Sequence, residues 1–362
     1  MKFVFVVQGE GRGHMVQAIA LHEILVRNGH SVNAVLVGKS KNGTLPNFFH
    51  KNISAPIIEI QSPYFIKNKF NTGINIYKTL IYNIIRIPTY VRWLKVIREQ
   101  VIKHEPDVLL NFYDFLGGFY FVTYAKKGMK HICMGHQYFL THQDFVFPKQ
   151  VNKVDKFWYM TNTFITSYKA DKKLALSFRK ADDLPKKNLY VVPPLLRKEV
   201  YTMKPSQGSH LLIYMVYAGF SDGLILWHKM QHDVQIDLFC DRPDLQDGQI
   251  FDQTLTVHKL NDKNFLEKMN TCLAFASTAG FESICEAMYL GKPVMMVPPK
   301  GHFEQQCNAL DAQMSGAGIV SDTFDIDKLL LYLPTHNNAQ KNIFRQWALQ
   351  AEAMYLMHLC EH

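Results

Sequence analysis

Short apolar runs, each followed by a helical pattern, recur along this chain and begin afresh after a proline pair. No other feature constrains the fold as strongly. Lys2–Gln8 is such a run, followed by glycines at 9, 11 and 13. Val16, Ile19, Ala20, Ile24 and Leu25 then recur at three- and four-residue steps, the period of a helix buried on one face. Gly29 stands where a C-terminal cap belongs, and Ser31–Val37 is a second buried run. Val108–Asn111, His131–Met134 and Asn188–Val192 read as further strands. Units of this kind wind into a parallel sheet. Pro193-Pro194 fixes the local backbone and suits a connection between domains. Beyond it lie the runs Leu211–Ala218, Val234–Cys240, Thr256–Leu260, Leu273–Ser277 and Val294–Pro298, with helical stretches near 262–270, 279–290 and 303–315. A long helical pattern from about Asn338 to Leu359 ends the chain. The expected architecture is α/β: two doubly wound Rossmann-like domains, residues 1–197 and 198–337, with a crevice between them and a C-terminal helix, 338–362, packing back on the first domain.

Charge divides along the same boundary. Residues 1–197 hold 28 Lys+Arg against 12 Asp+Glu, a net +16, whereas residues 198–362 hold 12 against 19, a net −7. Two domains with different partners account for such a split. The six cysteines form no Cys-x-x-Cys pair and read as free thiols in a reducing compartment. No run of eighteen apolar residues is present, and the apolar start at residues 2–7 passes directly into glycines and a charged helix, so it reads as a strand rather than a leader. The expected location is cytoplasmic.

Two glycine-bearing segments fall where open parallel sheets bind ligands, at the carboxyl ends of strands. The first is Gly9-Glu10-Gly11-Arg12-Gly13-His14. Its spacing departs from the dinucleotide G-x-G-x-x-G, and the second strand ends Val37-Gly38-Lys39 with no acidic residue for a ribose, which counts against a nicotinamide cofactor. His14 opens a helix, where imidazolium is disfavoured and the neutral ring can act as a base; a simple helix-capping role is the alternative. Asp114, after the Val108–Asn111 strand, is either the group that orients His14 or an ordinary loop residue.

The second segment runs Ser277-Thr278-Ala279-Gly280-Phe281-Glu282-Ser283-Ile284-Cys285-Glu286-Ala287, then Gly291-Lys292-Pro293-Val294, Pro298-Pro299 and Glu304-Gln305-Gln306-Cys307-Asn308-Ala309. A strand ends at Ser277, and small residues let the backbone approach a ligand. The free N–H groups of the next helix suit a diphosphate. Glu286, nearly two turns in, can accept from both ribose hydroxyls, while Glu304 and Gln305 face the same rim and suit sugar hydroxyls.

Across these residues the chain resembles the GT-B glycosyltransferases. It is similar to the group containing the peptidoglycan N-acetylglucosaminyltransferase and to the UDP-glycosyltransferases. The order G-x-x-x-x-x-E-A, G-x-P, P and [DE]-Q-x-x-N-A holds from Gly280 to Ala309, and the loop ending Gly13-His14 matches the N-terminal signature. The resemblance implies that the second domain holds the donor: Glu286 on the ribose, Glu304 and Gln305 on the sugar, the amides of Ser277, Thr278, Ala279, Gly280 and Phe281 on the diphosphate, Gly219 on the phosphate side and Leu260 presenting its backbone to uracil. Gly11, Arg12 and Gly13 would lie on the acceptor side. Glu304 stands where UDP-glycosyltransferases often carry Asp, and the tryptophan-led plant donor box is absent.

The expected activity is metal-independent, inverting transfer from a nucleotide-sugar, UDP-linked, to a hydroxyl acceptor, with His14 and Asp114 catalytic. No cofactor and no metal site are expected; Asp241-Arg242-Pro243-Asp244 carries carboxylates with no further ligands beside it in sequence. A nucleotide-sugar epimerase of the same fold and a non-catalytic sugar-nucleotide-binding protein are the alternatives. The acceptor is expected to be lipid-linked or polyhydroxylic. Residues 61–103 hold eight Lys/Arg against one acidic residue, with seven aromatics and an apolar stripe through Ile81, Ile84, Ile85, Leu94 and Ile97. An anionic membrane surface suits that mixture. A core helix with a solvated basic face is the plain alternative, and nucleic acid is not the expected partner.

Overall fold

A computed structural model of the 362-residue chain describes all residues except 41–42, 65, 67–74, 125–127, 216–217, 231–232, 241, 243, 245, 252, 260 and 362. The first domain is built on β1 (Lys2–Gln8), β2 (Ser31–Lys39), β3 (Ile57–Gln61), β4 (Val108–Phe112), β5 (Lys130–Gly135), β6 (Lys172–Leu176) and β7 (Leu189–Val192). They form one parallel sheet in the order β3-β2-β1-β4-β5-β6-β7. The second domain uses β8 (Leu211–Met215), β9 (Ile236–Cys240), β10 (Gln249–Ile250), β11 (Leu255–His258), β12 (Ala274–Ser277), β13 (Val294–Met296) and β14 (Gly318–Val320). Their order is β10-β11-β9-β8-β12-β13-β14, parallel except for β10 at the edge.

Phe3 to Val7 are fully buried, as a strand covered by helices on both faces must be. Gly29, just past the first helix (Gly13–Arg27), has φ +78°, the left-handed geometry of a helix end. The six cysteines are all free, and only Cys360 is more than marginally exposed. Among the described residues no helix is long and apolar enough to cross a membrane.

Four strands carry no clear signal in the sequence: β3, β6, β10 and β14. β6 is Lys-Lys-Leu-Ala-Leu, where charge hides a buried half. The terminal helical pattern is two helices, Ala339–Ala348 and Ala351–Cys360. No glycine or proline breaks them. Each is anchored separately to the first domain: Trp347 donates its indole N–H to the Ser177 carbonyl at 2.9 Å, and Tyr355 donates to the Pro193 carbonyl at 2.9 Å.

Candidate functional site

In each sheet the strand order reverses at one point, β1/β4 in the first and β8/β12 in the second. Ligands of open α/β sheets bind at such points. The Gly9–Gly13 loop leaves β1 there. A Cβ on Gly9 would lie 2.5 Å from the Gly38 carbonyl oxygen, so only glycine fits, and Gly11 has φ +86°. The first helix then begins with Arg12 as its cap residue; the Arg12 guanidinium stands over the Phe48 ring at 5.5 Å, within its own domain.

His14 Nδ1 lies 3.1 Å from Gln17 Oε1, and the Gln137 amide nitrogen lies 3.3 Å from Nε2. An amide oxygen can only accept and an amide nitrogen only donate. The pattern therefore assigns a neutral ring, protonated at Nδ1 with its lone pair on Nε2. Burial pushes the imidazole down to about 4, against the smaller opposing effect of the Gln17 bond. Tyr113 stacks beside the ring at 5.9 Å between centroids.

Both glutamines reach across the crevice. The Gln17 amide donates to Glu282 Oε1 at 2.5 Å, and the Gln137 amide donates to Glu304 Oε1 at 2.9 Å. His14 thus sits between two carboxyl groups of the second domain, each one glutamine away. Asp114 does not hold the imidazole, contrary to the expectation. Its Oδ1 accepts from the Leu116 and Gly117 amides at 2.8 and 3.1 Å, capping the helix Phe115–Thr123. Burial raises that carboxyl to about 6, with the two cap amides opposing.

Across the crevice β12 ends at Ser277. Ala279 then takes φ +62°, unusual for a residue with a side chain, and the Asn308 amide donates to its carbonyl at 3.2 Å. Gly280 opens the helix Phe281–Leu290 with no side-chain cap, so its first N–H groups are left for a ligand. The Ser277 and Thr278 hydroxyls, Gln305 Oε1 and Asn308 Oδ1 are buried without a hydrogen-bond partner around this turn. Such groups are rare in folded proteins, and a bound ligand is one way of satisfying them. Phe281 does not point outward: its ring stacks on His136 at 4.2 Å, closing the helix start against the first domain. Arg179 pairs with buried Asp311 across the same seam.

Glu304 lies in the first turn of the helix Phe303–Met314, where burial raises its carboxyl and the Gln137 bond opposes. Glu286 is held in a fork by Arg197, with Nε and a terminal nitrogen each 2.6 Å from one carboxylate oxygen. Its outer lone pairs alone remain for ribose hydroxyls. Gly219 sits exposed in the turn Ala218–Phe220 beyond β8. Leu260 lies outside the described residues.

The structure thus brings His14, Ser277 to Phe281, Glu304 and Gln305 to one seam. It adds Gln17, Gln137, Glu282, His136 and Arg197, which sequence reasoning missed. Gln17 stands three residues after His14, a spacing that signals a shared helix face. Glu282 looks in sequence like any acid in a first helical turn, and Gln137 carries no signal at all.

A family model described as "Glycosyl transferase family 1" matches residues 1–333. No curated protein sequence matches the chain. Among solved structures, the glycotransferase of kitacinnamycin superposes with TM-score 0.66 at 15% identity, covering 99% of this chain and 98% of that one. A UDP-glucosyltransferase from Polygonum tinctorium, capable of glucosylating indoxyl, gives TM-score 0.67 at 14% identity over 99% of this chain and 97% of its own. A spinosyn rhamnosyltransferase complexed with thymidine diphosphate gives 0.61 at 14% identity over 100% of both chains. These neighbours share the GT-B arrangement of two Rossmann-like domains. With two such sheets meeting at their switch points and the family match spanning both, the chain belongs to glycosyl transferase family 1 and is a GT-B glycosyltransferase.

Proposed function

We propose that the chain moves a sugar from a nucleoside-diphosphate donor, UDP-linked, to a hydroxyl acceptor with inversion. The observation that carries this reading is the Nε2 lone pair of His14, held in the crevice and joined through Gln137 to Glu304. The acceptor hydroxyl displaces the Gln137 amide from Nε2 and gives its proton to that nitrogen as its oxygen attacks the anomeric carbon. The free amides at the start of Phe281–Leu290 hold the diphosphate and stabilise its departure without calling on a metal ion. Glu304 and Gln305 take the sugar hydroxyls. The UDP-glucosyl and thymidine diphosphate neighbours support a nucleotide-linked donor.

Incubation with radiolabelled UDP-sugars and hydroxyl acceptors, including polyprenyl-linked sugars, tests it. Transfer of label to an acceptor is the expected result. Conversion of the donor to its epimer, or binding with no product, would replace this reading by one of its two alternatives.

The acceptor is proposed to be lipid-borne, with the first domain resting on an anionic membrane surface. The expected apolar stripe divides. Leu94 and Ile97 of the helix Ile87–His104 are buried against the sheet, whereas Ile81, Ile84 and Ile85 of the helix Ile76–Ile85 stand 60%, 62% and 72% exposed. On the same side of the sheet, the helix Lys153–Thr166 exposes Phe157, Trp158 and Phe164 beside Lys153 and Lys156. Lys67 and Lys69 lie outside the described residues. Wild-type protein should co-sediment with anionic but not neutral vesicles at low salt and dissociate as salt rises, because the attraction is screened within about 10 Å at 0.1 M. The triple change Ile81→Ser, Ile84→Ser, Ile85→Ser should weaken sedimentation. Wild type left in the supernatant with anionic vesicles at low salt would make the acceptor a soluble one.

A further inference from the structure

Glu282 is the residue that the proposed transfer leaves unexplained. It occupies the first turn of the helix whose free amides are to hold the diphosphate, and it is 8% exposed. Its Oε1 accepts from Gln17 of the first domain, and its Oε2 is buried without a partner. In the turn before this helix, the Ser277 and Thr278 hydroxyls are fully buried and equally unpartnered. A fixed carboxylate here would set a negative charge beside an arriving dianion, in surroundings that screen poorly. A carboxylic acid would instead present an O–H donor.

We propose that Glu282 gates the diphosphate end of the donor site: as the acid it donates to a phosphate oxygen, and as the carboxylate it stays on Gln17 and repels the nucleotide. The inference rests on the donor-site reading above. The groups facing Glu282 fit it. On its own helix are Cys285 and Glu286, the latter backed by Arg197; the Tyr201 and Tyr355 hydroxyls approach from two other helices; from the first helix comes Gln17 with neutral His14 behind it. Burial is the leading influence on the carboxyl and holds it at about 8, with the Gln17 bond and Arg197 opposing and the charge of Glu286 reinforcing. Glu282 is therefore the acid near neutrality, and a bound dianion strengthens its hold on the proton.

Calorimetry of the full chain with UDP, thymidine diphosphate and GDP tests the gate. Affinity should be level near pH 7 and fall about ten-fold by about pH 9, below the ionisation of the nucleobases, with close to one proton taken up per nucleotide at the upper end. In Glu282→Gln the ratio of affinities between those two pH values should drop to about one. Infrared spectra should show a carboxylic-acid carbonyl band that is present in wild type near neutrality, lost at the higher pH and absent from Glu282→Gln. Nucleotide affinity that ignores pH in wild type, or a fall that persists in Glu282→Gln, overturns the gate alone. Failure of all three nucleotides to bind near pH 7 removes the donor-site reading and the gate together.

Discussion

His14→Ala is expected to lower turnover by about 10²–10⁴-fold while nucleotide affinity changes little, because the loss is of a proton acceptor and not of a donor contact. The wild-type pH profile carries a second, sharper expectation. An ordinary histidine would lose its lone pair as pH fell through about 6.5. Burial places the His14 imidazole at about 4. Activity limited by this base should therefore be present above that value and disappear only as pH falls through it. The alkaline side should be set by Glu282, whose carboxyl lies at about 8. The profile of kcat/KM, which reports the free enzyme, should thus be broad and bounded near these two values. A neutral amide, Gln17, stands where an aspartate would more strongly support a developing imidazolium. In the proposed role, this arrangement favours a base that stays unprotonated over a wide pH range over one of high intrinsic strength. A His14→Ala variant turning over near the wild-type rate with a verified acceptor would reduce His14 to a helix-start residue.

The second large effect concerns stability. Glu286→Ala would be expected, on the ribose role alone, to weaken donor binding and leave folding intact. The structure changes that expectation. The Glu286 and Arg197 side chains are 2% and 15% exposed, and they are joined by two charge-assisted bonds. Removing one partner leaves a charge buried and uncompensated, which costs about 3–5 kcal/mol. Urea denaturation followed by circular dichroism should show that loss for Glu286→Ala. Adding Arg197→Met should recover a large part of it, since replacing both members of a buried pair with apolar groups is often close to neutral. Arg197 lies just past Pro193-Pro194, so the pair also ties the interdomain connection to the helix Phe281–Leu290. A loss below about 1 kcal/mol in the single variant would show that this pair is as weak as an exposed one. Donor affinity is better probed with Glu286→Gln, which keeps an acceptor oxygen facing Arg197.

The sequence by itself determined the architecture and the position of the crevice. Buried β-strands and one-faced helices are local patterns, read from residue spacing, and glycines at strand ends mark where backbone must come close. That is why β1, the first helix, β12 and the helix Phe281–Leu290 are legible in the sequence, and why His14 and Ser277 to Phe281 stand out in it. Tertiary structure decided which side chains meet. Gln17 lies 265 residues from Glu282, and Gln137 lies 123 from His14 and 167 from Glu304. No periodicity carries such a pairing, because it depends on how two separately folded sheets are set against each other. The same dependence misplaced Asp114: its spacing after β4 fits a crevice residue and a helix cap equally well, and the backbone amides of Leu116 and Gly117 took the carboxylate. It also hid the chemistry of Glu282. In sequence an acid in a first helical turn is ordinary and ionised; only burial at the seam, a property of both domains together, pushes its carboxyl up to about 8.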